Sequence, residues 1–257
     1  MAGNPIAYYR LNETSCTTAA DFAGGANGTL TGPIVTGVTG PQPPTWLGLE
    51  STNTAFEFDG TSTRVQLPSF NLKTNQMTIV AWINPNGSQK DQTGILASRN
   101  GDDLGGFFIN RSGSDALSYV WAGTGSWDQF KSGLVPIAGV WNFVALVVDP
   151  KKGTVYLDPG DGTGLQSASF FPPEGHKTVV WSSPNIGVDN GYDRWFSGSI
   201  DEVAVYDWAL SPAEIANLDL LSSEGRVAPR IRQQPASQRC TPDSRQLIAW
   251  ARSGLCR

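Results

Sequence analysis

Nine consecutive residues, Gly187-Val188-Asp189-Asn190-Gly191-Tyr192-Asp193-Arg194-Trp195, combine two aromatic rings with two carboxylates and a carboxamide. Sugars are held by aromatic faces against their C–H surfaces and by polar side chains that fix their hydroxyls. Asp189, Asn190, Tyr192, Asp193 and Trp195 supply both kinds of group in one loop. Tyr119, Trp121 and Trp127 lie in or just after a strand and could extend such a site. The plainer reading is that Trp195 packs beneath the loop and that Asp189-Asn190-Gly191 is only a turn.

Catalytic constellations are poorly supported. Glu57 and Asp59 have the i, i+2 spacing that puts two side chains on one face of a strand, whereas the adjacent Asp201 and Glu202 should point to opposite faces. The chain's only histidine, His176, sits in the turn-like stretch PPEGHKT, and no G-x-S-x-G nucleophile elbow occurs. The three cysteines, Cys16, Cys240 and Cys256, have neither zinc-site spacing nor histidine companions. An odd count leaves at least one free thiol, with a Cys240–Cys256 pair the obvious possibility.

These side chains must be positioned by strands. Of the 257 residues 39% are hydrophobic and 16% charged, with 29 Gly and 17 Pro. A chain of this length can form one all-β unit with an adequate core. Short runs with alternating or β-branched and aromatic character recur roughly every 8–12 residues between turn signals, which predicts a sandwich or barrel. TAFEFDG (54–60) and STRVQLP (62–68) read as a hairpin around Asp59-Gly60. WNFVALVVDP (141–150) and GTVYLDPG (153–160) read as a second. A helix is expected over 211–221, where Ser211-Pro212-Ala213-Glu214 forms a capping box and Ile215, Leu218 and Leu221 make one apolar stripe.

Residues 1–225 carry 11 Lys+Arg against 22 Asp+Glu, or −11, while residues 226–257 carry seven Arg against Asp243, or +6. An acidic body argues against a nucleic-acid partner. No apolar run approaches the length of a membrane span. The opening MAGNPIAYYRLNE lacks the charged and apolar regions of a signal peptide, so the chain is expected to be cytoplasmic or a piece of a longer protein. Residues 222–257 are expected to form a basic linker and tail, loosely ordered, its last part (239–257) truncated or foreign to the native product.

The succession AYYRLNE, TAFEFDGTSTRVQLP, MTIVAWINP, GVWNFVALVVD and IGVDNGYDRWFSGSIDEVAVYDWALSPAEIANL resembles the laminin-G-like (LamG) domains of the concanavalin A-like lectin/glucanase superfamily. The closing Phe196-Ser197-Gly198-Ser199-Ile200-Asp201-Glu202-Val203 and the helix after Leu210-Ser211 are its most diagnostic part. The resemblance covers residues 6–221 and implies an all-β fold: a two-sheet antiparallel jelly-roll sandwich with one short C-terminal helix. It implies a structural Ca²⁺ held by Asp201, a carbonyl of the Asp59-Gly60 turn and the Asn12/Glu13 region, with waters completing six to eight oxygens. The plainer reading of Asp201 is a cap on backbone amides. The Glu-x-Asp-x-x-Glu strand of the superfamily's glucanases is present only as a fragment, since Ser62 stands three positions after Asp59. The Arg, Gln-x-His and Tyr pattern of its alginate-lyase branch is absent.

The expected function is therefore a noncatalytic carbohydrate-binding or adhesion module of a secreted or cell-surface protein. Its expected partner is a glycan or surface polysaccharide, met by Trp121, Trp127, Asp189, Asn190, Tyr192, Asp193 and Trp195. Its expected ion is Ca²⁺ on Asp201, Gly60 and Asn12. The competing readings are a spacer or protein-interaction module without a sugar site, and a glycan-active enzyme with an unrecognised site.

Overall fold

The structure is a computed structural model and describes residues 4–15, 17–123 and 127–223; the tail from 224 and all three cysteines lie outside the described residues. In chain order the first strands are β1 (Ala7–Tyr9), β2 (Thr18–Ala19), β3 (Gly28–Thr31), β4 (Val35–Thr39), β5 (Thr54–Asp59) and β6 (Arg64–Gln66). Then come β7 (Lys73–Thr74), β8 (Met77–Pro85), β9 (Thr93–Asn100), β10 (Asp103–Ile109), β11 (Leu117–Ala122) and β12 (Asp128–Lys131). The last are β13 (Asn142–Val148), β14 (Gly153–Asp158), β15 (Gln166–Phe170), β16 (Val179–Val180), β17 (Pro184–Ile186) and β18 (Ser197–Tyr206), followed by helix α1 (Pro212–Ser223).

The strands form two large antiparallel sheets, as expected of the jelly roll. Sheet A runs β15-β14-β13-β8-β18-β5-β4, with β1 also paired to β18; sheet B runs β12-β11-β10-β9-β17-β6-β3-β2. Between them lies the main core, where Phe56, Phe58, Ile79, Ala81, Ile83, Val144, Leu146, Phe107, Trp121 and Trp181 interdigitate. Alternation decides which residues enter it. In β8, Ile79, Ala81 and Ile83 face inward, while Val80 and Trp82 face the other side of sheet A.

That outer side of sheet A is not bare. Val80, Trp82, Phe143, Ala145 and Ala204 are covered by Trp46, Leu49, Leu210, Ile215 and Leu218. This explains why β8 and β13 are apolar at nearly every position. Helix α1 supplies Ile215 and Leu218 to this second core, each worth about 1.5–3 kcal/mol when fully buried. Its start is the expected capping box: Glu214 N donates to Ser211 Oγ at 3.3 Å, and Ser211 N donates to Glu214 Oε2 at 2.7 Å. Its end is pressed against Gly48, whose N donates to the Ser222 carbonyl at 2.8 Å. A Cβ on Gly48 would stand 1.9 Å from the Leu221 carbonyl oxygen, so only glycine fits.

One expected hairpin is present and the other is not. β13 and β14 pair in register from Phe143↔Asp158 to Val148↔Gly153. β5 belongs to sheet A and β6 to sheet B, so Asp59-Gly60 carries the chain from one sheet to the other instead of folding it back. The Asp59 carboxylate accepts the N–H groups of Thr61, Ser62 and Thr63 in that crossing. Against the modest desolvation there, hydrogen bonds from Ser62 and Thr61 hold its carboxyl well below the usual carboxylate range.

Candidate functional site

The outer face of sheet B carries the 187–195 loop. Phe196 N donates to Gly187 O at 2.9 Å and Val188 bridges to Trp195, closing the loop as a narrow hairpin. It is seated on β9 at Gly94, where an added Cβ would stand 2.4 Å from the Val188 carbonyl carbon. Gly94 N donates to Arg194 O at 3.2 Å, and Thr93 Oγ1 donates to Trp195 O at 3.4 Å.

Two arginines then clamp the loop from within. Asp189 is fully buried, and its Oδ1 accepts from Arg99 Nε at 2.8 Å. Its Oδ2 accepts from Arg99 Nη2 at 2.7 Å and from Arg194 Nη1 at 2.6 Å. The fork–fork pair with Arg99 is the strong, orienting kind of charge-assisted contact. Hydrogen bonding from Asp189 raises the Arg99 pKa, so that side chain is permanently cationic. Both guanidiniums also lie against Tyr192, with Arg99 Cζ 4.7 Å and Arg194 Cζ 4.2 Å from the ring centroid. Tyr192 is thereby held in place while 54% exposed.

The remaining loop residues are placed differently from one another. Asp193 is exposed and pairs with Lys90 at 2.8 Å on the surface. Asn190 and Trp195 are partly exposed, and Arg64 Cζ lies 6.0 Å from the Trp195 ring centroid. The expected set is thus split. Tyr192, Asp193, Asn190 and Trp195 offer surface to a ligand, whereas Asp189 is spent on the arginines that shape the loop.

The strand residues divide along the same line. In β11 alternation sends Tyr119 and Trp121 inward and Ser118, Val120 and Ala122 outward. Trp121 is fully buried; its Nε1 donates to Lys177 O at 2.9 Å and its ring packs 6.0 Å from that of Trp181. It has no face to offer a sugar, and its expected binding role is corrected to core packing. Trp127, by contrast, is 49% exposed beside β12. Three strand spacings separate β12 from β9, or about 14 Å, so Trp127 lies across the face from the loop.

Between these walls the floor is a small separate cluster of Ala97, Leu104, Phe108, Val120 and Ala122. Two buried polar atoms on the same side, Ser118 Oγ and Asn185 Oδ1, have no hydrogen-bond partner. Asn185 pairs with Ala97 and Ser118 with Phe108, which fixes both on the outer face.

The second expected site lies at the closing strand, on sheet A. β18 pairs with β5 up to Ile200 and with β1 from Val203, and its register on β8 shifts between Asp201 and Ala204. Glu202 sits at φ 51° in this bulge. The expected alternation fails there, and both carboxylates enter one buried cluster. Glu202 accepts from the Tyr8 hydroxyl and from Arg10 Nε at 3.2 Å, and Glu50 Oε2 accepts from Arg10 Nη2 at 2.8 Å. Asn53 Nδ2 donates to Asp201 Oδ2 at 2.6 Å, and the Asn12 carboxamide lies 2.8 Å from Arg10 Nη2. Burial, and then the Glu202 charge, push the Asp201 carboxyl well above the usual carboxylate range.

The ligand set expected for Ca²⁺ is therefore not gathered at one point. Gly60 N donates to Phe196 O, five residues before Asp201 along β18, or about 16 Å away. Arg10 is the positive charge that the Glu50 and Glu202 oxygens face, and Glu13 Oε2, Glu50 Oε1 and Asp201 Oδ1 are buried side-chain oxygens without a hydrogen bond. Among the described residues no group of three or more His, Cys, Asp or Glu side chains converges as a metal site.

His176 is buried between Asp149 O (2.7 Å from Nδ1) and the Tyr119 hydroxyl (3.0 Å from Nε2). Desolvation lowers its pKa, and neither of these hydrogen-bond partners is a nucleophile of the Ser or Cys type. Glu57 and Asp59 lie on the outer side of β5, on the opposite face of the sandwich from the loop.

Solved structures share this architecture. Domain 4 of AbnA, a GH43 extracellular arabinanase from Geobacillus stearothermophilus, in complex with arabinotriose, superposes with a TM-score of 0.64 at 20% identity, covering 85% of this chain and 100% of that one. The receptor-binding domain of botulinum neurotoxin mosaic serotype C/D gives 0.56 at 13% identity, over 87% of this chain and 51% of the other. The enzymatically active domain of bacteriophage CBA120 tailspike protein 2 gives 0.54 at 14%, over 84% and 31%. At these identities the likeness is one of fold. No curated protein matches the sequence. A family model described as the concanavalin A-like lectin/glucanases superfamily matches residues 59–216. With two antiparallel sheets, a closing strand that ties β1, β5 and β8 together, and a model match over more than half its length, the chain belongs to the concanavalin A-like lectin/glucanase superfamily.

Proposed function

We propose that the protein is a noncatalytic carbohydrate-binding module, recognising a glycan or polysaccharide on the outer face of sheet B beside the 187–195 loop. The observation that carries this reading is Tyr192: a half-exposed ring fixed by two buried-carboxylate arginines, next to the partly exposed Trp195. Pre-positioned aromatic faces lower the ordering cost of binding, which is what stacking against a sugar ring needs. Asn190 and Asp193 add polar, solvent-facing groups to the same loop. AbnA domain 4, of the same fold, was solved with arabinotriose. That an extracellular arabinanase carries this fold supports a secreted or cell-surface setting; no helix among the described residues is long and apolar enough to cross a membrane.

Isothermal titration against a panel of oligosaccharides tests the proposal, with Tyr192→Ala and Trp195→Ala alongside the unaltered chain. Loss of binding by about tenfold or more in each variant, with Tm essentially kept, is the expected result. Unchanged affinity in both variants would sink it. A protein-interaction module is the second reading, favoured by the exposed Val135, Ile137 and Val140 between β12 and β13. It gains if no sugar binds.

A further inference from the structure

The charges around the 187–195 loop do not cancel. One carboxylate, Asp189, faces two guanidiniums, while the Lys90–Asp193 pair is neutral. Arg64 and Arg111 make no salt bridge among the described residues, and Arg64 Nε and Arg111 Nη1 are buried without a hydrogen-bond partner. Arg64 lies beside Trp195 from β6. Arg111 follows β10, where desolvation lowers its pKa against the opposing charge of Asp91, and the like charge of Arg194 adds to the lowering. Guanidiniums with donors unspent on the protein are stabilised by an incoming anion, and a planar carboxylate matches their fork. This cationic spot is notable because residues 1–225 as a whole carry −11.

We infer that the glycan taken by this face is acidic: a uronate-containing oligosaccharide whose sugar rings lie on Tyr192 and Trp195 while its carboxylates are received by Arg111 and Arg64. The inference rests on the carbohydrate-binding reading above and narrows it to a substrate class. The aromatic rings supply sequence-tolerant contact area, and the two arginines at the loop's flanks select for charge. Asp189 keeps Arg99 and Arg194 occupied, so they shape the surface and add to its positive potential without being the carboxylate's direct partners.

The experiment is titration of the full chain, by intrinsic tryptophan fluorescence or calorimetry, with trigalacturonate and with neutral arabinotriose. A short ligand is used because the seven arginines of residues 226–257 would attract any long polyanion. The expected result is at least about tenfold tighter binding of trigalacturonate, weakened by salt, with the preference lost in an Arg64→Gln/Arg111→Gln double variant. The variant carries the same tail, so a tail-borne contribution would persist in it. Equal affinity for the two sugars overturns the acidic assignment and leaves the carbohydrate reading standing. A sulfated trisaccharide without carboxylates that binds as tightly as trigalacturonate overturns the carboxylate assignment. Binding of neither sugar by the unaltered chain overturns both readings. A preference that survives the double variant overturns the role given to Arg64 and Arg111.

Discussion

Two clusters in this molecule are built from the same parts and stand in opposite balance. At the β18 bulge one arginine, Arg10, faces Glu50, Glu202 and, more distantly, Asp201, with all but the partly exposed Glu50 buried. At the 187–195 loop two arginines face one buried aspartate and an exposed ring. The first turns its charges on one another inside the fold, where β1 and β5 meet on the flank of β18. The second leaves surplus positive charge and aromatic area at the surface. A buried ion cluster is thus read as a site only when its excess points outward.

Removing the cation from the inner cluster should have the largest effect. Arg10→Met leaves Glu202 and Glu50 unpaired in the interior and should cost about 3–5 kcal/mol in urea denaturation; a loss below 1 kcal/mol would show that the cluster tolerates its own negative charge. Trp121→Ala should cost a similar amount, about 3–5 kcal/mol, through the cavity left against Trp181. Asp189→Asn comes next: it removes the counter-charge between Arg99 and Arg194 and should loosen the loop by about 1.5–3 kcal/mol. Hydrogen exchange at 188–195 would rise while that of β8 stays slow. If both rise together, the loop is not the separate unit described here.

Smaller effects sharpen the contrast. Because burial lowers the His176 pKa, the unfolded chain takes up its proton first as pH falls through about 6.5. Stability from this group is therefore full above that pH and lost on acidification below it. A His176→Gln variant should flatten the change in Tm between pH 7 and 5.5. Chelator should leave Tm unchanged, since Arg10 already supplies the positive charge at the inner cluster; a clear drop would show a bound ion. Lys90→Ala should change stability by less than about 1 kcal/mol, as its partner Asp193 is largely in solvent.

The sandwich was legible because alternation and turn chemistry are local. β13–β14 and the Ser211–Glu214 cap follow from neighbouring residues alone. The Asp59-Gly60 turn was misread because an Asx turn has the same chemistry whether the chain folds back or crosses to the facing sheet. Parity made Trp121 and Val120 opposite, but parity has no sign until the sheet finds its partner, so Trp121 could be read as outward. Arg99 went unnoticed because its partner lies 90 residues on. Arg194 stood within the loop motif, yet nothing local says that it turns back onto Asp189. Glu202's left-handed bulge is likewise a tertiary event, needing β1 and β5 to share the flank of β18.

The seat of the loop is a single hydrogen atom wide. Since a methyl on Gly94 would collide with the Val188 main chain, the whole aromatic platform rests on a residue that touches no ligand. A one-carbon wedge at that point would tilt Tyr192 and Trp195 off the sheet while leaving both hydrophobic layers packed, disarming recognition without unmaking the scaffold beneath it.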